Sequence, residues 1–295
     1  MNLKRFFTVF LLMVALVAGI AACSSGGDRI VIGTKNFTEQ LILGEILAQQ
    51  IEGKTKLKVD RRFNLGGTLI CQQGITSGDL DIYPEYTGTA YTTILKLPAI
   101  GDAKKVFEQL KQEYPARYKL EWTAPFGFNN SFAMVIRGDD AKKYNLQTLS
   151  QAAKYTPQWR AGFGFEFLNR EDGFPGLSKT YNLKFAESPK VMDLGLLYRA
   201  LTDKQVDFVA GNTTDGVIPT LNLVVLKDDR QYFPPYEAAA IVRQETLRKH
   251  PELKQVLDQL GGTISEQKMQ ELNYRVDGKK EDVKQVVREF LQSKS

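Results

Sequence analysis

The side chains that most often do covalent or metal chemistry are scarce in this chain: two cysteines, Cys23 and Cys71, and one histidine, His250, among 295 residues. A zinc site needs several nitrogen or sulfur ligands together, and a Ser-His or Cys-His nucleophile needs an imidazole beside it. His250 precedes Pro251, where one helical stretch ends and another begins, and reads as a surface residue. Cys71, within Leu69-Ile70-Cys71, reads as a small buried hydrophobe. No metal site, cofactor or catalytic residue is expected, and the chain does not read as an enzyme. Cys23 is different. It closes the run Ile20-Ala21-Ala22-Cys23, behind Lys4, Arg5 and an apolar segment from Phe6 to Ala18. A basic start, a short apolar segment and small residues before a cut site make a secretory leader. The apolar run falls short of the about 20 residues that a spanning helix needs.

That stretch resembles a bacterial lipobox. The resemblance implies cleavage before Cys23 and lipidation of the new first residue. Residues 1–22 are then a lipoprotein signal peptide, and residues 23–28, with Ser24-Ser25-Gly26-Gly27, a flexible tether. The remainder is an extracytoplasmic domain, in a periplasm or at a cell surface, touching the membrane through its N-terminal lipid only. A lipidated Cys23 leaves Cys71 without a partner, so no internal disulfide is expected despite the oxidising compartment. The formal net charge of +5 falls once Lys4 and Arg5 leave. The other basic residues are interspersed with acids, as in Lys279-Lys280-Glu281-Asp282, which argues against a nucleic-acid partner.

The elements that must position any site follow from apolar periodicity. Ile30-Val31-Ile32 reads as a buried strand stopped by Gly33. Leu41, Ile42, Ile46 and Leu47 give helical spacing from Thr38 out to Ile51. A strand is expected near Leu57 to Arg61, a helix over Leu69 to Thr76, and a strand over Leu80 to Tyr83. Phe132 to Arg137 is an extended apolar run, Leu149 to Tyr155 helical, and Ala161 to Phe165 a strand. Leu168 to Pro175 reads as a loop, Leu194 to Asp203 as helix, and Val206 to Ala210 and Leu223 to Leu226 as strands. From Glu245 onward the pattern gives three helical pieces: Glu245 to His250, Glu252 to Leu260, and Glu281 to Leu291. Alternating strands and helices in two runs indicate two α/β units, and a cleft between units is a common place for a small molecule.

Several segments, taken in order, resemble one known family. They are Gly33-Thr34-Lys35-Asn36-Phe37-Thr38-Glu39-Gln40, Asn64-Leu65-Gly66-Gly67-Thr68, and Ser77 to Thr89 with its Tyr83-Pro84-Glu85-Tyr86-Thr87-Gly88 centre. Thr213-Thr214-Asp215-Gly216 and Phe233-Pro234-Pro235-Tyr236-Glu237-Ala238-Ala239 complete the set. Together they look like the substrate-binding proteins of osmoprotectant ABC importers, the binders of glycine betaine, carnitine and choline. The resemblance runs from about Ile30 to the C-terminus. It implies a two-lobed α/β fold of the periplasmic-binding-protein type (type II), with a ligand cleft between lobes and two interlobe crossings. Residues 29–128 and 236–295 would form lobe I, and residues 129–235 lobe II.

The resemblance also implies a site. Carried over by position, Tyr86, Phe132, Asn212 and Tyr236 stand where the family builds a box of tyrosines around a trimethylammonium group. Such a cation has no N–H to donate, so aromatic faces select it by negative potential and apolar surface. Phe132 keeps the ring without the hydroxyl, and Asn212 loses the ring. Lys35, Thr89 and Arg170 map onto the donors for a ligand carboxylate, with Arg able to bind it through paired N–H groups. Glu39 and Gln40 would line the first-helix end of the cleft, while Asp207 and Asp215 would fix turns.

The expected function is an extracytoplasmic solute receptor, a monomer, whose partners are a small zwitterionic solute and ABC permease subunits. Glycine betaine or a related quaternary-ammonium zwitterion is the expected ligand. Asn212 keeps open a different zwitterion, such as an imidazole-type betaine or an amino-acid-like solute. A secreted hydrolase or transferase, or a scaffold without ligand, are the alternatives of another class.

Overall fold

A computed structural model of the protein describes residues 29–294. The leader, Cys23 and the tether through residue 28 lie outside the described residues. The chain forms two mixed five-stranded sheets. The first contains β1 (Arg29–Gly33), β2 (Lys58–Arg62), β3 (Ile82–Tyr86), β4 (Leu120–Trp122) and β10 (Ala238–Arg243), in the order β2-β1-β3-β10-β4. The second contains β5 (Phe132–Arg137), β6 (Ala161–Phe163), β7 (Lys190–Val191), β8 (Phe208–Asn212) and β9 (Leu223–Leu226), in the order β7-β6-β8-β5-β9. Strands β1, β2 and β3 run parallel, and β10 lies antiparallel to β3 and β4. The second sheet repeats this plan, with β6 parallel to β7 and β8, and β5 antiparallel to β8 and β9.

Both faces of each sheet are covered, which is why the central strands are apolar throughout rather than alternating. Ala238, Ala240 and Val242 of β10 join the core on one face, and Ala239 and Ile241 join the core on the other. The helix Thr38–Lys54 buries Ile42, Leu43, Ile46, Leu47 and Ile51. It lies between the sheet and the C-terminal helices, whose Met269, Leu272, Val286, Val287 and Phe290 share its core. A helix enclosed on several sides needs apolar residues beyond one stripe. Truncating one of these leucines should cost about 2–5 kcal/mol.

The chain leaves the first sheet after β4 and returns to it as β10. The two connecting segments lie side by side: Asn129 bridges Glu237 in antiparallel fashion, and the Asn130 N–H donates to the Tyr236 carbonyl at 3.0 Å. This paired ribbon is the backbone link between the two halves.

Several elements differ from the sequence expectation. β10 carried no strand signal because three of its residues are alanines, poor strand formers that suit a tightly covered sheet centre. The helix Ala103–Tyr118, the helix Glu266–Asp277 and β4 were also unforeseen. Glu266–Asp277 buries only Met269, Leu272 and Asn273, too thin a stripe to stand out. The expected loop from Leu168 to Pro175 is shorter than foreseen: residues 170–173 are loop, between the helices Phe165–Asn169 and Phe174–Tyr181. His250 follows the helix Gln244–Lys249 as expected, but its side chain is only 12% exposed, not a free surface group.

Candidate functional site

A cavity of about 410 Å³ lies between the two halves. Lys35, Tyr86, Thr89, Phe132, Arg170, Asn212 and Tyr236 all border it. The topology explains the convergence. Lys35 follows β1, Tyr86 ends β3 and Asn212 ends β8, so three of them stand at carboxyl ends of parallel strands, where α/β folds leave a crevice. Phe132 starts β5, which runs antiparallel to β8, and it pairs directly with Asn212. Tyr236 comes from the crossing ribbon and Thr89 from the short helix Thr87–Thr89 after β3. Gly88 makes room there: a Cβ on it would stand 2.6 Å from the Pro235 carbonyl and 2.7 Å from the Tyr236 ring.

The aromatic residues fall into two groups. Phe132 meets Tyr236 edge to face with centroids 5.9 Å apart, and meets Phe167 at 4.8 Å. Phe37 stacks on Tyr86 at 6.3 Å. Phe37 and Phe167 border the same cavity and were not foreseen. The hydroxyls of the two tyrosines point into the protein. Tyr86 donates to Glu39 Oε1 at 2.7 Å, and Tyr236 donates to Asp172 Oδ2 at 2.8 Å.

The two cations carry acidic partners. Lys35 Nζ lies 2.5 Å from Glu85 Oε1, both groups being almost wholly buried, and 5.1 Å from the Tyr86 ring centroid. Arg170 grips Asp172 through two bonds, Nε to Oδ1 at 2.9 Å and Nη2 to Oδ2 at 2.6 Å, and Nη2 also donates to Thr89 Oγ1 at 3.2 Å. Guanidinium has five N–H donors, and Nη1 makes no hydrogen bond among the described residues. Glu166 stands 3.6 Å from Nη1, and the guanidinium carbon lies 5.3 Å from the Phe132 ring centroid. Burial pushes the Asp172 carboxyl up, but Arg170 with hydrogen bonds from Tyr236 and Thr92 outweighs it and holds the group below its ordinary range. The pairing of Arg170 with Asp172, two residues on, is readable as a surface ion pair from spacing alone. The structure buries it.

Glu39 and Gln40 are corrected: they lie behind the wall, at 2% and 0% exposure, and do not border the cavity. Glu39 accepts from Tyr86, Asn130, Thr214 and Asn273. Burial raises its carboxyl above the ordinary value against those four bonds. Asp215 does hold a turn, accepting the backbone N–H of Asn212 at 2.9 Å. Asp207 does not: it accepts the backbone N–H of Arg160 at 3.0 Å and the Arg137 guanidinium at 2.6 Å, and so ties distant segments together. Cys71 is buried and free, and burial pushes its thiol up to about 12, as an inert small hydrophobe requires.

Contacts also join the halves across the cavity. Glu166 Oε1 accepts the Thr68 N–H at 2.7 Å, at the start of the helix Thr68–Ser77. A Cβ on Gly67 would lie 2.0 Å from that oxygen, so glycine permits the approach. Among the described residues no group of three or more His, Cys, Asp or Glu could hold a metal ion, and no helix is long and apolar enough to cross a membrane.

Residues 28–293 match the family described as the substrate binding domain of ABC-type glycine betaine transport systems. The chain belongs to that family. It is 40% identical to the carnitine transport binding protein OpuCC of Listeria monocytogenes, over 98% of this chain and 96% of that protein. It is 37% identical to the ergothioneine transport permease/ergothioneine binding protein EgtU of Helicobacter pylori, over 96% of this chain and 51% of that longer protein. A solved glycine betaine/carnitine/choline ABC transporter structure matches with a TM-score of 0.73 at 36% identity, covering 90% of this chain and 98% of that one.

Membership of this glycine betaine transport family makes the chain a two-lobed, extracytoplasmic solute-binding receptor that works with ABC permease subunits. Within such a receptor the cavity between lobes is the place for the solute. Among the residues that sequence reading missed are Asn130, Phe37, Phe167 and Glu166, which border the cavity, and Asp172 behind it. Asn130 stood inside a polar turn, Phe128-Asn129-Asn130-Ser131, with nothing to separate a wall residue from a turn former.

Proposed function

We propose that this receptor binds a quaternary-ammonium zwitterion of the glycine betaine type and presents it to its permease. One observation carries the reading: the rings of Tyr86, Phe132 and Tyr236 meet in a single cavity that Arg170 and Lys35 also border. The rings take the methylated cation, and Arg170 Nη1, Lys35 and Thr89 serve the carboxylate. Residues 29–128 with 236–295 act as one lobe and residues 129–235 as the other, hinged at the Asn129–Glu237 ribbon. Closure excludes water from the rings, which strengthens cation–π attraction. The receptor is a monomer, anchored through lipidated Cys23. A Cys23→Ser protein that still fractionates with membranes would remove the anchor.

A second reading is a larger zwitterion, bearing an imidazole-type ring. Asn212 favours it, because a polar amide stands where the family places a fourth ring. The relatives named above carry carnitine and ergothioneine in their names, so both sizes occur among them. The deciding experiment is calorimetry of the purified protein with glycine betaine, carnitine and ergothioneine, joined to mass spectrometry of any co-purified solute. Binding of none, with an unrelated solute co-purifying, would end the reading.

A further inference from the structure

Two carboxamides border the cavity, Asn130 and Asn212, and each has a carboxylate behind it. Asn212 Nδ2 donates to Asp215 Oδ1 at 3.4 Å, while Asp215 Oδ2 takes the Asn212 backbone N–H at 2.9 Å and the Tyr198 hydroxyl at 2.5 Å. Asn130 Nδ2 donates to Glu39 Oε1 at 2.8 Å. An ionised carboxylate only accepts, so each amide must turn its NH₂ end toward the acid. The oxygen is then the end left over. No described residue donates to Asn212 Oδ1, and Asn130 Oδ1 is buried without a partner, in a residue only 7% exposed. The two amides are near neighbours in the fold: the Thr213 N–H donates to the Ser131 carbonyl at 2.9 Å, and Asn212 pairs with Phe132.

We propose that the site reads an N–H or O–H donor on its ligand through the side-chain oxygen of Asn212, with Asp215 as the positioning residue that fixes that oxygen as an acceptor. The inference rests on the quaternary-ammonium reading and sharpens it. Glycine betaine has no donor of its own, so it leaves the Asn212 oxygen unpaired, a cost that a donor-bearing betaine escapes. A heteroaromatic ring N–H and a chain hydroxyl supply the same chemistry. Phe165, Phe167, Met192 and Leu194 border the same cavity and would flank either ligand body.

The test is calorimetry with matched pairs. N,N,N-trimethylhistidine is compared with N,N,N-trimethylphenylalanine, which has a similar shape and no ring N–H. L-carnitine is compared with its O-methyl ether. The wild type should prefer the donor-bearing member of at least one pair by about tenfold, and the pair that discriminates names the donor. Asn212→Leu should reduce that preference to near unity. Asp215→Asn lets the amide turn over, so it should shrink the same preference while leaving the donor-free ligand's affinity within about twofold of wild type. A merely structural role for Asp215 would weaken both members alike. Should Asp215→Asn not fold, Asn212→Leu still decides. Equal affinities within both pairs in the wild type, or a preference that survives Asn212→Leu, overturns the proposal and leaves the quaternary-ammonium reading standing. Failure of every betaine to bind removes that reading and the proposal with it.

Discussion

The Tyr86 hydroxyl donates to the Glu39 carboxylate at 2.7 Å, on the side of the ring away from solvent. The phenol is thus used by the protein, which frees the ring face for a ligand. The same division holds for Tyr236, whose hydroxyl is spent on Asp172. Hydroxyl and face should therefore separate by mutation. Tyr86→Phe should lose about 1–3 kcal/mol of stability, because Glu39 stays buried with one donor fewer. Its betaine affinity should stay within a few-fold of wild type. Tyr86→Ala should lose the cation–π contribution as well, about 0.5–2 kcal/mol of binding. Thermal melts and calorimetry on the two variants read the two effects. A Tyr86→Phe protein as stable as wild type but unable to bind would reverse the assignment.

Glu166 is the main polar contact from the second half to the helix Thr68–Ser77, through the Thr68 N–H. A carboxylate at a helix N-terminus is favoured by the orphan N–H groups and the dipole. Glu166→Ala should open the two lobes in the ligand-free protein and weaken binding by about 1.5–3 kcal/mol. Small-angle scattering should show a larger radius of gyration, closing again at saturating ligand. Gly67→Ala should act in the same direction, since the new methyl takes the place of the Glu166 oxygen. Unchanged scattering and affinity in both variants would mean that this contact does not hold the lobes together.

Lys35 and Arg170 pose a problem that single truncations confuse. Each is paired with a buried acid, so Lys35→Ala or Arg170→Ala strands Glu85 or Asp172, at a cost of about 3–5 kcal/mol. Paired neutral replacement avoids this. Lys35→Met with Glu85→Gln should fold with near wild-type stability. If Lys35 serves the ligand carboxylate, the double variant should lose affinity for a betaine and not for its methyl ester. Equal losses for acid and ester would assign Lys35 to the Glu85 pair alone.

What could be read from the sequence was local. Phe132–Arg137 and Leu223–Leu226 emerge with the expected bounds because each is a short apolar run closed by polar residues. The helix from Thr38 shows its apolar spacing openly. β10 could not be read, because its alanines make sense only between β3 and β4. The cavity residues sit on separate elements up to 201 positions apart from Lys35 to Tyr236, and only the ordered motifs suggested that they meet. The partners behind them were invisible for the same reason. Nothing in Arg170-Glu171-Asp172 tells that Tyr236 will donate to Asp172, or that Thr92 will do so from the other half. The Asn212 amide was legible as a departure from a ring, but its orientation depends on Asp215, three residues along a turn whose shape only the fold defines.

Asp215 also gives the site a pH signature. Burial pushes its carboxyl up to about 6, against hydrogen bonds from Tyr198 and Asn212. An unfolded aspartate titrates near 3.9. Between about pH 4 and pH 6 the native state therefore holds a proton that the unfolded state has released, so this group's contribution is fully present below about pH 4 and is lost as pH rises through about 6. Asp172 has the opposite sign. Its carboxyl is held below the ordinary value, so its contribution is present above about pH 4 and is lost only as pH falls further. The two windows do not overlap. Melting temperature measured from pH 7 down to pH 5 should rise more in the wild type than in Asp215→Asn, which has no proton to gain there. Every other ionisable group is common to both proteins, so the difference between the two curves isolates Asp215. Parallel curves would mean that Asp215 titrates as an ordinary carboxylate, open to water rather than closed beneath Tyr198.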